Sequence, residues 1–228
     1  MSQVYLIRHG QASFMEKNYD QLSELGQQQA RKLGAWLYSK GLAFDQLYSG
    51  TLERQINTCK LSIGEESTPT IDHSFNEHEG PAIFKNHFPT YLRDRQELGT
   101  AIQEKGMKEP SVRKQLVKAF FQMHHMWVKG EIESGEHESW TAFKERSSRA
   151  FEIIESAVKN GSVAVYTSGG LIAALLGQVL GLGDEKIVDL NWQIRNTSIA
   201  ELKYSSGRFM LREFNTTPHL EAADVTYV

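Results

Sequence analysis

The chain has 228 residues, 40% of them hydrophobic and 23% charged, with a formal net charge of −3. Those proportions describe a globular protein able to bury a sizeable core, and the slightly acidic balance without any run of Lys and Arg argues against nucleic acid as a partner. A single cysteine, Cys59, excludes an internal disulfide and reads as a small core residue of a reducing compartment.

In chain order, VYLI (4–7) reads as a short buried strand, β-branched and aromatic with no charge until Arg8. A polar loop, RHGQASFMEKNYDQ, leads to a helix pattern in LSELGQQQARKLGAWLYSKG, with Ser23 as N-cap and Leu33, Trp36 and Leu37 on its apolar face. FDQLYS (44–49) predicts a second strand, TLERQINTCKLSI a second helix and TIDHSF (70–75) a third strand. From Gly80 to Glu138 the pattern changes to helical segments and loops, with Pro81, Pro89 and Pro110 and the aromatics Phe84, Phe88, Tyr91, Phe120, Phe121 and Trp127. TAFKERSSRAFEIIESAVKNG (141–161) is an amphipathic helix with Phe143, Ala150, Phe151, Ile154 and Val158 on one side. VAVYT is another buried strand and GLIAALLGQVLGL another helix; TSIAELKYSSGRFMLREFN closes with a hairpin signal around Ser205-Ser206-Gly207.

Strands alternating with helices predict an α/β fold, a three-layer sandwich with a mostly parallel central sheet flanked by helices. The expectation is one domain over residues 1–228, with a helical insert at 80–138 lying over the strand ends. MSQVYLIRHG is too short an apolar run for a signal peptide. No apolar stretch reaches the ~20 residues that span a bilayer, so a cytoplasmic protein with no membrane partner is expected.

Ligands in such sheets collect at the carboxyl ends of the strands. Strand one ends in Arg8-His9-Gly10, strand two runs into SGTLER and Arg54, strand three into Asn76-Glu77-His78-Glu79-Gly80, and the late strand into Thr167-Ser168-Gly169-Gly170. Arginines supply bidentate, permanently charged donors for phosphate oxygens, and a glycine-opened helix N-terminus adds backbone N–H groups. A neutral imidazole nitrogen can carry a phosphoryl group covalently, and a carboxyl group can protonate a leaving oxygen. Each residue alone has a plainer reading, as a loop histidine, a surface arginine, a tight turn or a solvated carboxylate. Their joint placement at successive strand ends favours phosphoryl chemistry.

LIRHGQAS resembles the opening motif of the histidine phosphatase superfamily, the phosphoglycerate-mutase-like enzymes. LSELGQQQARKLGAWL, LYSGTLERQINTC, FNEHEG, SWTAFKERSSRAF, NTSIAEL and FNTTPHL resemble further segments of that family in the same order. The resemblance implies that His9 accepts the phosphoryl group, that Arg8 and Arg54 hold it, and that Glu77 is the acid/base, with Glu79 as a close competitor. Gln11 and Ser13 match positions that line the phosphate pocket. Most of the superfamily has a second histidine where this chain has Ser168. Serine there resembles a bacterial branch, and the expectation is that Ser168, with Gly169, donates to phosphate without the charge that a histidine brings.

No metal site and no cofactor are expected: His124-His125 point apart on a helix, and His73 and His78 lack ligand spacing. His78 and His87 remain within reach of substrate from the loop, and Asp20 and Asn196 are expected to tie the pocket together. Three readings follow. The first is a metal-independent phosphomonoester hydrolase working through phospho-His9 on a small phosphorylated substrate or a phosphoprotein. The second is a mutase, disfavoured because the loop QASFMEKNYDQ carries Lys17 but no arginine. The third is a catalytically weak phospho-ligand-binding protein, with Ser168 as the mark of lost chemistry.

Overall fold

VYLI has no charged side chain, so a strand built on it can be buried on both faces, and β1 (Gln3–Arg8) accordingly sits inside the sheet. The computed structural model describes residues 2–13, 20–133 and 135–227; Lys17, on which the mutase reading turned, lies outside them. β1 pairs in parallel with β4 (Val163–Thr167) and antiparallel with β5 (Ile199–Ser205). Beyond β4 lie β2 (Gln46–Ser49) and β3 (Thr70–Ile71), both parallel, and beyond β5 lies β6 (Arg208–Thr216), antiparallel to it. Among the described residues this is a mixed six-stranded sheet of order β3-β2-β4-β1-β5-β6, in which β5 alone runs against the others.

The register shows how both faces are filled. Tyr5 opposes Ala164 and Ile7 opposes Tyr166, and these pack with Leu33 and Leu37 of α1 (Glu24–Ser39) and Cys59 of α2 (Glu53–Ile63). Side chains alternate along a strand, so Val4, Leu6, Val163 and Val165 form the opposite face, which is equally buried. α1 starts as its sequence predicts, with the Ser23 hydroxyl accepting from the Gly26 N–H at 3.0 Å.

The chain divides into two compact units, residues 1–77 with 144–228, and residues 78–143. The second unit holds α3 (Gly80–Arg93), α4 (Gln96–Lys105) and α5 (Pro110–Val128), and ends in the first turn of α6 (Trp140–Val158). It has its own aromatic core, in which Trp127 meets Trp140 edge-on at 5.2 Å and Phe84 stacks on Phe88 at 4.4 Å. The first unit is completed by α7 (Gly169–Leu180), buried at every residue from Gly169 to Gly177 and packed on β1 and β6, and by α8 (Asp184–Asn191). Among the described residues no helix is long and apolar enough to cross a membrane.

Two details depart from the expected elements. The third strand stops at Ile71 rather than Phe75, because the Asp72 carboxylate accepts from the Ser74 N–H at 2.7 Å and turns the chain into a 3-10 helix, His73–Phe75. α8 was not expected from its short polar sequence, DEKIVDLN. The hairpin forms as expected around Ser206 and Gly207, both at positive φ (52° and 74°), as a two-residue turn between strands requires.

Candidate active site

Arg8 and His9 leave the end of β1 next to the start of α7. The His9 N–H donates to Thr167 O at 2.9 Å, and the His9 carbonyl accepts from Asn196 Nδ2 at 3.2 Å and from the Thr197 N–H at 3.3 Å. Asn196 is itself held by the Thr226 hydroxyl at 2.9 Å, so it ties the closing segment to the loop that carries His9. Thr197 sits at φ 53°, a costly conformation for a β-branched residue; that strain lies directly behind His9.

The His9 ring is fixed from both sides. Nδ1 lies 2.7 Å from the Gly10 carbonyl, which can only accept, so Nδ1 carries the proton. Nε2 therefore presents a lone pair, and Arg54 Nε donates to it at 3.1 Å. Burial, followed by the charges of Arg54 and Arg8, holds the imidazole well below its usual pKa, and its hydrogen bond to the Gly10 carbonyl opposes this only in part. His9 is thus held as a neutral ring with Nε2 pinned beside a guanidinium. The loop stays close because Gly10 lies against α1: a Cβ on Gly10 would come within 2.4 Å of the Gly26 carbonyl oxygen.

Arg54 is the second residue of α2, so it leaves the helix near its N-terminus. Asp20 Oδ1 accepts from Arg54 Nη1 at 2.7 Å, while Asp20 Oδ2 accepts from the Glu53 N–H at 2.8 Å. Thr58, one turn on, accepts from the Gly10 N–H at 3.0 Å and so fixes α2 to the His9 loop. Arg8 Nη1 donates to the carbonyls of Ile194 and Tyr227.

Glu77 Oε2 accepts from the Gly170 N–H at 3.1 Å, which places a carboxylate at the positive end of α7. Its neighbours Asn76 and Thr51 exchange two hydrogen bonds, Thr51 N–H to Asn76 Oδ1 at 2.7 Å and Asn76 Nδ2 to Thr51 Oγ1 at 2.8 Å. Glu79 goes elsewhere: its carboxylate accepts from the Glu138 N–H at 2.6 Å within the second unit. Ser168 is the N-cap of α7, but its hydroxyl makes no capping bond. It is wholly buried, and its Oγ accepts from Gln55 Nε2 at 2.8 Å. Gly169 has no room for a side chain, since a Cβ would stand 2.5 Å from Asn191 Oδ1.

The first unit thus gathers Arg8, His9, Arg54, Glu77, Ser168 and Gly169 at neighbouring strand ends. Gln11 and Ser13 follow in the loop after β1. The Gln11 side chain is turned to α1, where its Oε1 accepts from Ser23 Oγ at 2.8 Å, and the Ser13 N–H donates to Gln21 O at 2.8 Å. His78 and His87 belong to the second unit, where the His78 ring lies 5.0 Å from that of His124 and His87 Nε2 lies 2.8 Å from His137 Nε2.

Two contributors went unread in the sequence. Arg146 is 3% exposed, and its guanidinium donates to the carbonyls of Asn76 at 2.8 Å and Glu77 at 3.2 Å, holding the segment that presents Glu77. Its signal was positional: it falls three residues after Phe143 and four before Ala150, on the apolar side of its helix. Gln55 carries a similar signal, lying four residues before buried Cys59.

Against known proteins, the model of the histidine phosphatase superfamily (branch 1) matches residues 4–97 and 96–217. Over 80 residues the chain is 36% identical to a 2,3-bisphosphoglycerate-dependent phosphoglycerate mutase of Methylorubrum populi, covering 32% of this chain and 38% of that relative's length. Among solved structures, a mutant phosphoserine phosphatase of Entamoeba histolytica in complex with phosphoserine superposes with a TM-score of 0.65 at 17% identity, covering 97% of this chain and 100% of that one. Bacillus stearothermophilus YhfR superposes with a TM-score of 0.67 at 20% identity, covering 96% and 99%. These two likenesses are of fold. The family match spans most of the sequence, and the chain belongs to the histidine phosphatase superfamily, branch 1.

Proposed function

We propose that the protein is a phosphomonoester hydrolase that works without a metal through a phosphohistidine on His9, in a branch of the family where serine stands at the place of the second histidine. The observation that carries this is the fixed tautomer of a buried, neutral His9, whose Nε2 lone pair lies beside Arg54. In the first step Nε2 attacks phosphorus and the bond from phosphorus to the ester oxygen breaks. The departing oxygen takes its electron pair and a proton from the Glu77 carboxyl. In the second step the Glu77 carboxylate takes a proton from water, whose oxygen attacks phosphorus and breaks the N–P bond. Inorganic phosphate leaves, and His9 and Glu77 return to their starting forms. Arg8 and Arg54 supply the positive charge that spreads over the phosphoryl oxygens. The substrate is a small phosphorylated molecule or a phosphoprotein, neither nucleic acid nor membrane, and the site of action is the cytoplasm.

The phosphoglycerate mutase among its relatives supports a second reading, in which the phosphoryl group returns to the same small acid. The test is hydrolysis of an aryl phosphate from about pH 5 to 8 in EDTA, by wild type and His9→Ala, with phosphoglycerate isomerisation followed in parallel. Turnover that survives chelation and disappears in His9→Ala is expected. Isomerisation without net phosphate release would favour the mutase; turnover undiminished in His9→Ala would overturn both readings. Silence of both proteins on a broad panel would leave a phospho-ligand binder.

A further inference from the structure

Gln55 is wholly buried beside Arg54, yet it has no part in the chemistry above. Its amide nitrogen donates twice, to Ser168 Oγ at 2.8 Å and to the Phe75 carbonyl at 3.2 Å. Those acceptors stand at the two ends of Glu77. Phe75 lies two residues before Glu77 and closes the 3-10 turn from which the Glu77 segment departs. Ser168 is the N-cap of α7, and the Gly170 N–H two residues later is the donor to the Glu77 carboxylate. A single neutral amide, with both of its N–H groups spent on these two bonds, links the backbone end of Glu77 to its carboxylate end.

We propose that Gln55 is a positioning residue for Glu77, acting through Ser168 and Phe75, and that Ser168 serves as the small acceptor that lets the amide reach across. This rests on Glu77 being the acid/base of the proposed hydrolysis. It gives the serine a use that needs no charge. A histidine at that place would fill the space with a ring, whereas serine leaves room for a side chain from α2 to cross between the ends of two strands. The Thr167 hydroxyl also donates to the Phe75 carbonyl, at 2.6 Å, so the turn retains a donor when Gln55 is changed.

The experiment separates acid positioning from general damage by the leaving group. An aryl phosphate with a good leaving group needs no proton on departure, while an alkyl phosphate does. kcat/KM would be measured for p-nitrophenyl phosphate and for glycerol phosphate with wild type, Glu77→Gln, Gln55→Met and Ser168→Ala. Gln55→Met keeps the length of the side chain and removes both donors. It is expected to lower kcat/KM on the alkyl ester about tenfold or more and on the aryl ester less than about threefold, with Ser168→Ala showing a smaller split of the same sign. Equal losses on both esters, or no loss, would overturn the proposal. If Gln55→Met fails to fold, Ser168→Ala carries the same comparison. If the wild type hydrolyses nothing, the phosphatase reading falls on its own, and the positioning role is read from the Gly170 amide resonance. That resonance should shift with pH in the wild type and stay still in Glu77→Gln. In Gln55→Met its pH-dependent shift should shrink by about half or more; an undiminished shift would refute the link.

Discussion

Arg54 Nε donates to His9 Nε2 over 3.1 Å, so the cation proposed to hold the phosphoryl group also favours the neutral form of the proposed nucleophile. Protonated His9 has no lone pair for phosphorus. Because burial and then Arg54 and Arg8 depress its pKa, the neutral form persists well below pH 6.5. The acid limb of kcat/KM is therefore expected well below the usual histidine value. Arg54→Gln removes the second-largest cause, so that limb should move upward while kcat/KM falls about 100-fold through lost phosphate contacts. A pH profile from about 4.5 to 8 checks both, and an unmoved acid limb in Arg54→Gln would refute the coupling.

Asp20 does two jobs for Arg54. One oxygen pairs with the guanidinium at 2.7 Å, and the other caps α2 through the Glu53 N–H at 2.8 Å, where the N-cap residue Leu52 offers no side-chain acceptor. Asp20→Asn keeps an acceptor for the cap and loses the ion pair; Asp20→Ala loses both. The first should raise KM several-fold with little change in stability, and the second should add a destabilisation of about 1 kcal/mol. Urea unfolding beside steady-state kinetics distinguishes them, and equal stability losses in the two variants would contradict the capping role.

Arg146 is buried among the carbonyls of His73, Ser74, Asn76 and Glu77. Arg146→Met leaves carbonyls without donors and is expected to cost about 2–4 kcal/mol. Arg146→Lys should recover less than half, because an ammonium lacks the planar fork that spans several acceptors. Turnover should fall more than substrate binding, since the segment presents Glu77 rather than the arginines. A lysine variant as stable and active as wild type would count against this role.

His219 is expected to make the fold sensitive to acid. Burial, then the charge of Lys32, lowers its pKa to about 4, and its Nε2 lies 2.9 Å from the Thr197 hydroxyl behind His9. The folded state thus binds the proton less readily than the unfolded chain, whose histidine titrates near 6.5. The stabilisation is fully present above that value and is lost as pH falls toward about 4, amounting to about 3 kcal/mol in all. Unfolding free energies of wild type and His219→Gln should converge as pH drops from about 7 to 4.5. Parallel curves would exclude His219 as the source.

The strands and the gathering of the strand-end residues were legible because they rest on local signals. VYLI and VAVYT lack charge, Ser23 precedes an apolar stripe, Arg8, His9 and Glu77 stand where a strand pattern ends, and Arg54 stands in the first turn of the helix that follows one. The length of β3 was not legible, because the Asp72 carboxylate, far from any glycine that would mark a turn, ends the strand by taking the Ser74 N–H. The contacts of Gln55 and Arg146 were hidden for a different reason. Gln55 reaches Ser168 across 113 residues and Arg146 reaches Asn76 across 70, separations that no local spacing signals. Ser168 accepts from Gln55 Nε2, a contact its sequence position did not signal, and the hydroxyl keeps its own proton to donate.

Placing a histidine at position 168 tests how tightly Ser168 and Gln55 fill this pocket. Ser168 has no exposed surface and stands 2.8 Å from Gln55, so an imidazole must displace that amide or strain α7. Ser168→His alone is expected to destabilise the fold by about 1–3 kcal/mol and to bring no gain in turnover. Gln55→Ala opens space next to the ring, so the double variant should be more stable than the sum of the two single changes by about 1 kcal/mol. The four proteins would be compared by urea unfolding at one pH. Additive losses would mean that the ring finds room without Gln55 moving, and a gain of activity in Ser168→His alone would mean that the serine, rather than its pairing with Gln55, limits the site.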